Sequence, residues 1–486
     1  MIETDKTFIE ATTTAGRVRG FWRGASAAFL GIPFAEPPVG ELRFAAPVPY
    51  AAWEGVLDAV EYGATPQRKQ LSEVTLIPEP SIAGESTLNV NVFTPSLETS
   101  LPVLVYIHGG GFLAGSPASP WYDGAAFNRD GVVTVSVSYR LGFDGFGWID
   151  GAPHNRGVLD WLLALEWVRD NIANFGGDPS KVTIAGQSAG GGAVLTLLGM
   201  PRAQGLFHRV YCISGAVADV TPERAKAAAN KLALAAGVEP TRAGFASLTE
   251  EQLLIAQGTV ADIGGEGDPM EGLTTMLEEG LILGPVIDGD LITRSSLDFI
   301  RAGVGANIPL VLGATDDEFS MAFNEAKNQL RFTTARFLLG KMGLKGQRRR
   351  DYLAANRNIK GTAARLGRYM TDKMFRVAAL RIVEARADAP TWLYRFAWRS
   401  PVHGFAVHCL DLPFFFDCLG ADGVTAVAGD APPQSLADTV HADAVSFVKE
   451  GNPNWPTYSD QGSTQVFDTP STVQLHGYDT VRALAD

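Results

Sequence analysis

The chain has 486 residues, of which 46% are hydrophobic and 19% are charged, as is typical of a soluble globular protein with a large core. Its net charge of −13 at pH 7 argues against nucleic acid or an anionic membrane as a partner. Its apolar runs fall short of the ~18 residues that span a bilayer. Residues 1–6 lack the basic cluster and apolar stretch of a signal peptide. Only three cysteines are present, without disulfide or metal spacing, so we expect a cytoplasmic protein with no metal and no organic cofactor.

The N-terminal third of the chain changes from alternating to continuous apolar patterns. From Phe8 to Leu30 the alternation predicts an antiparallel meander. Residues 62–86 suggest an irregular surface segment, a candidate rim or lid over a site. The continuous runs 102–107 and 132–137 predict parallel strands covered on both faces.

Further strand-like runs alternate with helical patterns in the rest of the chain. A helix is predicted from about residue 157 to residue 173, where one apolar face ends at two glycines. Two long segments, about 221–280 and 320–388, are predicted to be mostly helical insertions. The remaining strand-like runs are 182–185, 209–213, 308–313 and 391–396. This alternation predicts an α/β protein with a mainly parallel, doubly wound sheet.

The five residues 186–190, Gly-Gln-Ser-Ala-Gly, carry the strongest chemical signal. They connect a short β-branched run to an apolar helical run, with glycine two positions on either side of Ser188. This is the layout of a nucleophile elbow, in which a tight turn exposes the serine hydroxyl at the end of a sheet. The glycines are required because side chains at those positions would collide.

A serine hydroxyl needs a base, an acid that orients the base, and donors for the oxyanion. The order of nucleophile, acid and histidine along the chain leaves four candidate bases: His403, His408, His441 and His476. Three adjacent carboxylates compete for the acid, and spacing does not choose between them: Asp316, Asp317 and Glu318. The glycines of residues 109–111, which follow a buried strand, offer unobstructed amides for an oxyanion.

With these residues in place, the chain resembles the type B carboxylesterases, which include bacterial para-nitrobenzyl esterases and the cholinesterases. The resemblance covers nearly the whole chain and follows the order of the family's motifs. The motifs are residues 31–40, 91–95, 108–112, 139–142, 171–179, 186–190 and 451–456. It implies that residues 1–486 form a single α/β-hydrolase domain with the two insertions.

The resemblance also assigns roles to residues. It implies a triad of Ser188, Glu318 and His408, and oxyanion amides at Gly110, Gly111 and Ala189. Ser214 matches a serine that supports the histidine in family members. The implied activity is hydrolysis of carboxylic esters through an acyl-enzyme.

Three positions depart from the family's pattern. Thr87 stands where many secreted members have a disulfide cysteine, in agreement with a reducing compartment. Phe319 replaces the glycine that usually follows the acid, which predicts a differently shaped floor of the site. Gln187 replaces the glutamate of cholinesterases and removes a charge beside the nucleophile.

The expected substrate is an uncharged small-molecule ester, because the predicted pocket residues are apolar. They are Phe112, Leu113, Trp121, Leu281, Phe319 and Met321. The same triad cleaving carbamates or amides is the alternative, and a non-catalytic binding protein on the same fold is a remote one. We expect a monomer or a homodimer that binds neither nucleic acid nor membrane.

Overall fold

A computed structural model of the chain describes residues 7–66, 76–261, 274, 277–278, 280–458 and 461–485. Within these ranges one sheet of 13 strands connects the N-terminal and C-terminal parts of the chain. The strands are β1 Phe8–Thr12, β2 Arg17–Arg23, β3 Ser26–Pro33, β4 Val56–Asp58, β5 Asn89–Thr94, β6 Leu101–Ile107, β7 Val133–Val137, β8 Gly177–Gln187, β9 Arg209–Ile213, β10 Leu310–Thr315, β11 Thr391–Phe396, β12 Thr464–Phe467 and β13 Thr472–Gln474.

The sheet is antiparallel at its edges and parallel in its centre. Its order is β1-β2-β3-β5-β7-β6-β8-β9-β10-β11-β12-β13, with β4 paired to β2. Strands β1, β2 and β3 pair antiparallel, which confirms the expected meander. From β7 through β12 every pairing is parallel. The expected α/β architecture with a mainly parallel central sheet is therefore present.

Helices cover both faces of the sheet. Side chains of a strand alternate between its two faces, and those of β6 divide accordingly between two hydrophobic cores. Val103, Val105 and Ile107 belong to one core, and Leu104 and Tyr106 belong to the other. All five are at most 2% exposed, which explains the continuous apolar run in the sequence.

The one helix predicted with bounds is present, with small shifts at its ends. The helix expected over residues 157–173 spans Arg156–Asn171 and continues as a 3-10 turn over Ile172–Phe175. The other α-helices are Ala125–Arg129, Gly142–Phe146, Ala189–Leu198, Pro222–Ala236, Arg242–Ala246, Glu250–Ala261, Ser296–Arg301, Ser320–Glu325, Lys327–Leu330, Ala335–Lys341, Gly346–Ala355, Thr362–Thr371, Val377–Arg386, Leu412–Phe415, Val424–Ala428, Gln434–Glu450 and Arg482–Ala485.

Both expected insertions contain mostly helices in their described parts. Residues 262–273, 275–276 and 279 of the first insertion lie outside the described residues. In the second insertion, a π-helical segment over Asp372–Arg376 joins two α-helices. In the described ranges no helix combines the length and the apolar character that a membrane crossing requires.

The carboxyl ends of the parallel strands meet at one edge of the sheet, as the topology of α/β proteins dictates. Strand β8 ends at Gln187, directly before Ser188, and β10 ends at Thr315, three residues before Glu318. Strand β10 begins two residues later than the sequence pattern predicts, because Pro309 has no N–H for the ladder. The same edge therefore receives the nucleophile candidate and the three competing carboxylates.

Candidate active site

Ser188 occupies a strained turn between β8 and the helix Ala189–Leu198. Its φ of 58° and ψ of −119° are unusual for a residue with a side chain. A Cβ on Gly186 would lie 2.3 Å from the carbonyl oxygen of Gly190, and one on Gly190 would lie 2.0 Å from that of Ile107. The crowding expected from the sequence is therefore present, and only glycine fits at both positions. Ser188 is partly exposed and lines a cavity.

The three adjacent carboxylates have different partners. Both oxygens of Asp316 accept hydrogen bonds from Arg395, at 2.8 and 2.6 Å. Burial would raise the pKa of Asp316, but Arg395 and then Arg368 hold that pKa well below its usual range. Asp317 accepts a bond from Arg368 at 3.4 Å. Because these two carboxylates are engaged by arginines, Glu318 alone of the three faces the histidine.

Glu318 is held from several sides. Its Oε1 accepts a 2.7 Å bond from the Ser214 hydroxyl and a 2.9 Å bond from the Thr315 amide. Its Oε2 pairs with Nδ1 of His408. A backbone hydrogen bond also joins the loop of Glu318 to the loop of His408, since the His408 amide donates to the Glu318 carbonyl at 2.9 Å. Glu318 and Ser214 are at most 1% exposed, so this network lies away from bulk water.

The surroundings of His408 set its protonation. Burial lowers the pKa of His408, but Cys409 and the Glu318 carboxylate outweigh burial and raise that pKa well above its usual value. Burial raises the pKa of the Cys409 thiol, and the adjacent His408 imidazole opposes that rise. On the far side of the ring, Nε2 of His408 lies 3.2 Å from Nε2 of Gln187, which also donates to the Cys409 sulfur at 3.1 Å.

The remaining candidate histidines lie elsewhere. His403 sits in a turn, where its amide donates to Ser400 Oγ at 3.2 Å, and it is not among the residues that line the cavity. His441 is buried on the helix Gln434–Glu450, and its Nδ1 bonds the Phe415 carbonyl at 2.7 Å. His476 is exposed in the C-terminal part of the chain. Of the four, only His408 pairs with Glu318 and lines the cavity together with Ser188.

The glycine loop after β6 lies beside the elbow, since a Cβ on Gly109 would lie 3.2 Å from the Cβ of Ser188. Gly110 has a φ of 111°, and a Cβ there would lie 2.2 Å from the Ala114 carbonyl oxygen. Gly110, Gly111 and Ala189 all line the cavity. Among the hydrogen bonds of the described residues, their three amides donate to no protein acceptor. These N–H groups are therefore free for an oxygen of a bound molecule.

The cavity has a volume of about 710 Å³ and differs in part from the expected pocket. Leu113, Leu281 and Phe319 line it as expected. Phe112 does not, because its fully buried ring packs into the core, 4.9 Å from the ring of Phe146. These assignments depended on apolar character, which wall residues and core residues share.

Two more expected pocket residues lie in the second core. Trp121 is fully buried and donates to the Asp422 carbonyl at 2.9 Å, while its neighbour Tyr122 lines the cavity instead. Met321 packs against the same core. Consecutive positions of a helix point in directions about 100° apart, so a residue near wall residues in the sequence need not line the wall itself. Neither residue is part of the wall.

Some residues of the site carry no local signal in the sequence. The ring of Phe319 packs 4.8 Å from the His408 imidazole, and Phe375 packs 5.3 Å from it on the cavity side. Phe319 thus fills space beside the base that a glycine would leave open. Phe375 lies in the second insertion, and only the tertiary fold brings it to His408. Gln187 and Cys409 were detectable as direct sequence neighbours of Ser188 and His408.

The cavity also contains charged side chains, which the apolar expectation missed. Glu79 is buried and accepts a 3.1 Å bond from the Gly115 amide. Lys373 and Arg381 line the wall formed by the second insertion. In the parts of the chain that the structure describes, no three metal-binding side chains come together in a cluster. The described cavity therefore combines apolar walls with charged side chains.

The chain was then compared with known proteins. The model of the carboxylesterase family matches residues 6–476. The para-nitrobenzyl esterase of Bacillus subtilis is 33% identical over 484 residues, which cover 95% of each chain. The phenmedipham hydrolase of Pseudarthrobacter oxydans is 34% identical over 474 residues, which cover 92% of each chain.

Solved structures agree with this relationship. The crystal structure of a carboxylesterase from Geobacillus stearothermophilus superimposes with a TM-score of 0.85 at 33% sequence identity, over 98% of this chain and 100% of that one. The relatives are full-length matches, so the family extends across both insertions. The chain belongs to the carboxylesterase family and is a carboxylic ester hydrolase with the α/β-hydrolase fold.

Proposed function

We propose that Ser188, His408 and Glu318 are the catalytic triad of this carboxylesterase. The observation that carries the proposal is the chain of contacts at the cavity wall. Glu318, fixed by Ser214 and Thr315, bonds Nδ1 of His408, and His408 and Ser188 line the same cavity. A carboxylate on Nδ1 holds the proton there and leaves Nε2 as the base.

The reaction then follows from the positions of these groups. His408 Nε2 takes the proton from the Ser188 hydroxyl, and Oγ attacks the carbonyl carbon of the ester. The amides of Gly110, Gly111 and Ala189 donate to the oxyanion that develops. His408 returns the proton to the leaving alcohol, and an acyl-enzyme remains. Water, activated by His408, then releases the acid and restores Ser188.

The supporting contacts keep this machinery in place. Ser214 shares Glu318 with His408, so the carboxylate cannot rotate away without breaking a 2.7 Å bond. Phe319 and Phe375 restrict the imidazole ring. We propose small-molecule esters with an uncharged region next to the reacting carbonyl, because Leu113, Leu281 and Phe319 form apolar walls there.

We also propose that the protein works in the cytoplasm as a monomer or a homodimer, without nucleic acid. The acidic net charge of −13 supports the absence of nucleic acid. The three cysteines, Cys212, Cys409 and Cys418, are free thiols, which supports a reducing compartment.

Hydrolysis of p-nitrophenyl butanoate tests the proposal directly. Ser188→Ala should remove nearly all turnover, whereas Ser435→Ala, at an exposed serine of the helix Gln434–Glu450, should match the parent enzyme. A phosphonate ester that phosphonylates serine esterases, with loss of its leaving group, should label the parent chain once, at Ser188. Turnover by Ser188→Ala at the parent rate would overturn the triad, and faster cleavage of matched carbamates or anilides would reassign the substrate class.

A further inference from the structure

One wall of the cavity is a row of side chains from the second insertion. It begins near the end of the helix Thr362–Thr371, crosses the π-helical segment Asp372–Arg376 and continues into the helix Val377–Arg386. The cavity-lining residues recur at helical spacing: Met370, Lys373, Met374, Val377, Ala378 and Arg381. Lys373 thus sits in the cavity wall that also holds Phe375 against His408.

The π-helical segment that carries Lys373 is fixed by a buried network. Arg376 Nη1 pairs with Asp372 Oδ1 at 2.9 Å, and both side chains are at most 1% exposed. The Tyr352 hydroxyl donates to the other Asp372 oxygen at 2.8 Å. Single π-helical turns inside α-helices occur frequently at functional sites. Because both ends of the turn are held, the backbone of Lys373 has a defined position.

Among the described residues, four other charged groups line the cavity, and the protein engages three of them; Glu278, an exposed carboxylate, is the fourth. Asp219 accepts bonds from the amide and the hydroxyl of Ser296, both at 2.7 Å. Glu79 accepts the Gly115 amide. The Arg381 guanidinium donates twice to the Ala485 carbonyl at 3.1 Å.

Lys373 differs from these groups. It is half-buried, and none of the carboxylates in the described ranges forms an ion pair with its ammonium group. Burial, then Arg381 and Arg348, lower the pKa of Lys373, while Glu278 acts in the opposite direction. Partial burial of a charge that has no ion pair with any described carboxylate is unfavourable, so an anion at this position would be stabilised.

We propose that Lys373 is an anion subsite of this cavity and that the natural esters carry a carboxylate group besides the ester bond. Half-esters of dicarboxylic acids, or esters of hydroxy acids, have this chemistry. The inference depends on the proposed function, since it requires the ester carbonyl to lie at Ser188 on another wall of the same cavity. The proposal differs from the expectation of a fully uncharged substrate. In it, apolar residues surround the reacting carbonyl, and the carboxylate of the substrate binds Lys373.

Two pairs of matched substrates test this subsite. In the first pair, the p-nitrophenyl monoester of suberic acid is compared with the p-nitrophenyl ester of suberamic acid, so that the charge lies on the acyl side. In the second pair, p-carboxyphenyl butanoate is compared with p-carbamoylphenyl butanoate, so that the charge lies on the alcohol side. The quantity measured is the ratio of kcat/KM for the carboxylate to kcat/KM for its carboxamide.

We expect Lys373→Met to lower this ratio about tenfold in at least one pair, and Lys373→Glu to lower it further, because a hydrogen bond to a charged partner is lost. Lys373→Arg should retain most of the ratio, which shows that the variants fold and that charge is the cause. Lys231→Met, at an exposed lysine of the helix Pro222–Ala236, should leave both ratios unchanged.

The outcomes separate the subsite from the proposed function. If the ratio falls in the first pair only, the carboxylate belongs to the acid part of the substrate. If the ratio falls in the second pair only, the carboxylate belongs to the alcohol part. If Lys373→Met changes neither ratio, the anion subsite is wrong, whatever the absolute rates are. If the parent enzyme hydrolyses neither these four esters nor p-nitrophenyl butanoate, the proposed function fails as well.

Discussion

The phenyl ring of Phe319 packs against the imidazole of His408, with 4.8 Å between the ring centroids. The resembling family has glycine at this position, so the contact belongs to this chain. Phe375 lies 5.9 Å from Phe319 and 5.3 Å from His408, which makes a cluster of three rings around the base. Aromatic pairs of this kind contribute about 0.5–1.5 kcal/mol each.

Removal of the Phe319 ring should lower the rate of catalysis by His408 without abolishing it. We expect Phe319→Gly to lower kcat for p-nitrophenyl butanoate about tenfold, because the imidazole gains freedom beside Glu318. Phe319→Leu, which keeps an apolar side chain there, should lose less. Steady-state kinetics on both variants checks this expectation, and an unchanged kcat in the glycine variant would show that the ring has no positioning role.

The pH dependence of the reaction should report on His408. The base must be neutral to accept the serine proton, so kcat/KM rises as pH increases through the pKa of His408. Burial opposes the shift, but Cys409 and Glu318 raise that pKa well above its usual value, so the acid limb should lie above the ~6.5 of an exposed imidazole.

Glu318→Gln provides the matched test of this cause. Because the carboxylate that stabilises the imidazolium is gone, the acid limb should move to lower pH while kcat falls by two orders of magnitude or more. Profiles of kcat/KM from pH 5 to 9 for both proteins measure the shift. Identical midpoints would mean that Glu318 does not set the protonation of the base.

The sequence was sufficient to predict those parts of the fold that local patterns specify. The elbow at Ser188, the glycine loop at Gly110 and the mainly parallel sheet follow from crowding and periodicity. The choice among Asp316, Asp317 and Glu318 did not follow from spacing, because their partners lie far along the chain. The structure pairs Asp316 with Arg395 and Asp317 with Arg368, which leaves Glu318 for His408.

The composition of the cavity wall was the least predictable part. Apolar character alone does not separate Trp121, which is in the core, from Leu113, which lines the cavity. Lys373 and Phe375 reach the site only because the second insertion folds over it. The place of Lys373 in the cavity has no local signal in the sequence, because a lysine in a helical pattern usually lies on a solvated face.

Asp411 should make stability depend on pH. Burial, and then Glu318, raise its pKa to about 7, and its Oδ2 accepts a 3.1 Å bond from the Tyr394 hydroxyl. The folded pKa lies above the ~3.9 of an unfolded aspartate, so the folded state retains a proton that the unfolded state loses. Stability from this group is therefore present below about pH 4 and is lost as pH rises to about 7.

Asp411→Asn cannot ionise and should avoid this loss. The Tm of the variant minus the Tm of the parent should be larger at pH 8 than at pH 4.5, by about 2 °C or more. Asp422→Asn, at an exposed aspartate, is the control and should give the same difference at both pH values. Thermal unfolding followed by circular dichroism measures these differences, and a difference for Asp411→Asn that is independent of pH would contradict a protonated carboxyl group.

The assignment of the base can be tested with two histidines that lie five residues apart. His408 bonds Glu318 and lines the cavity, whereas His403 sits in a turn, and its amide bonds Ser400. We expect His408→Gln to reduce kcat for p-nitrophenyl butanoate by at least three orders of magnitude, because no other group at Ser188 takes its proton. His403→Gln should keep kcat within about twofold, since its ring lies outside the cavity wall. Thermal melts of both variants show whether each is folded. Loss of turnover in His403→Gln together with its retention in His408→Gln would transfer the role of the base to His403.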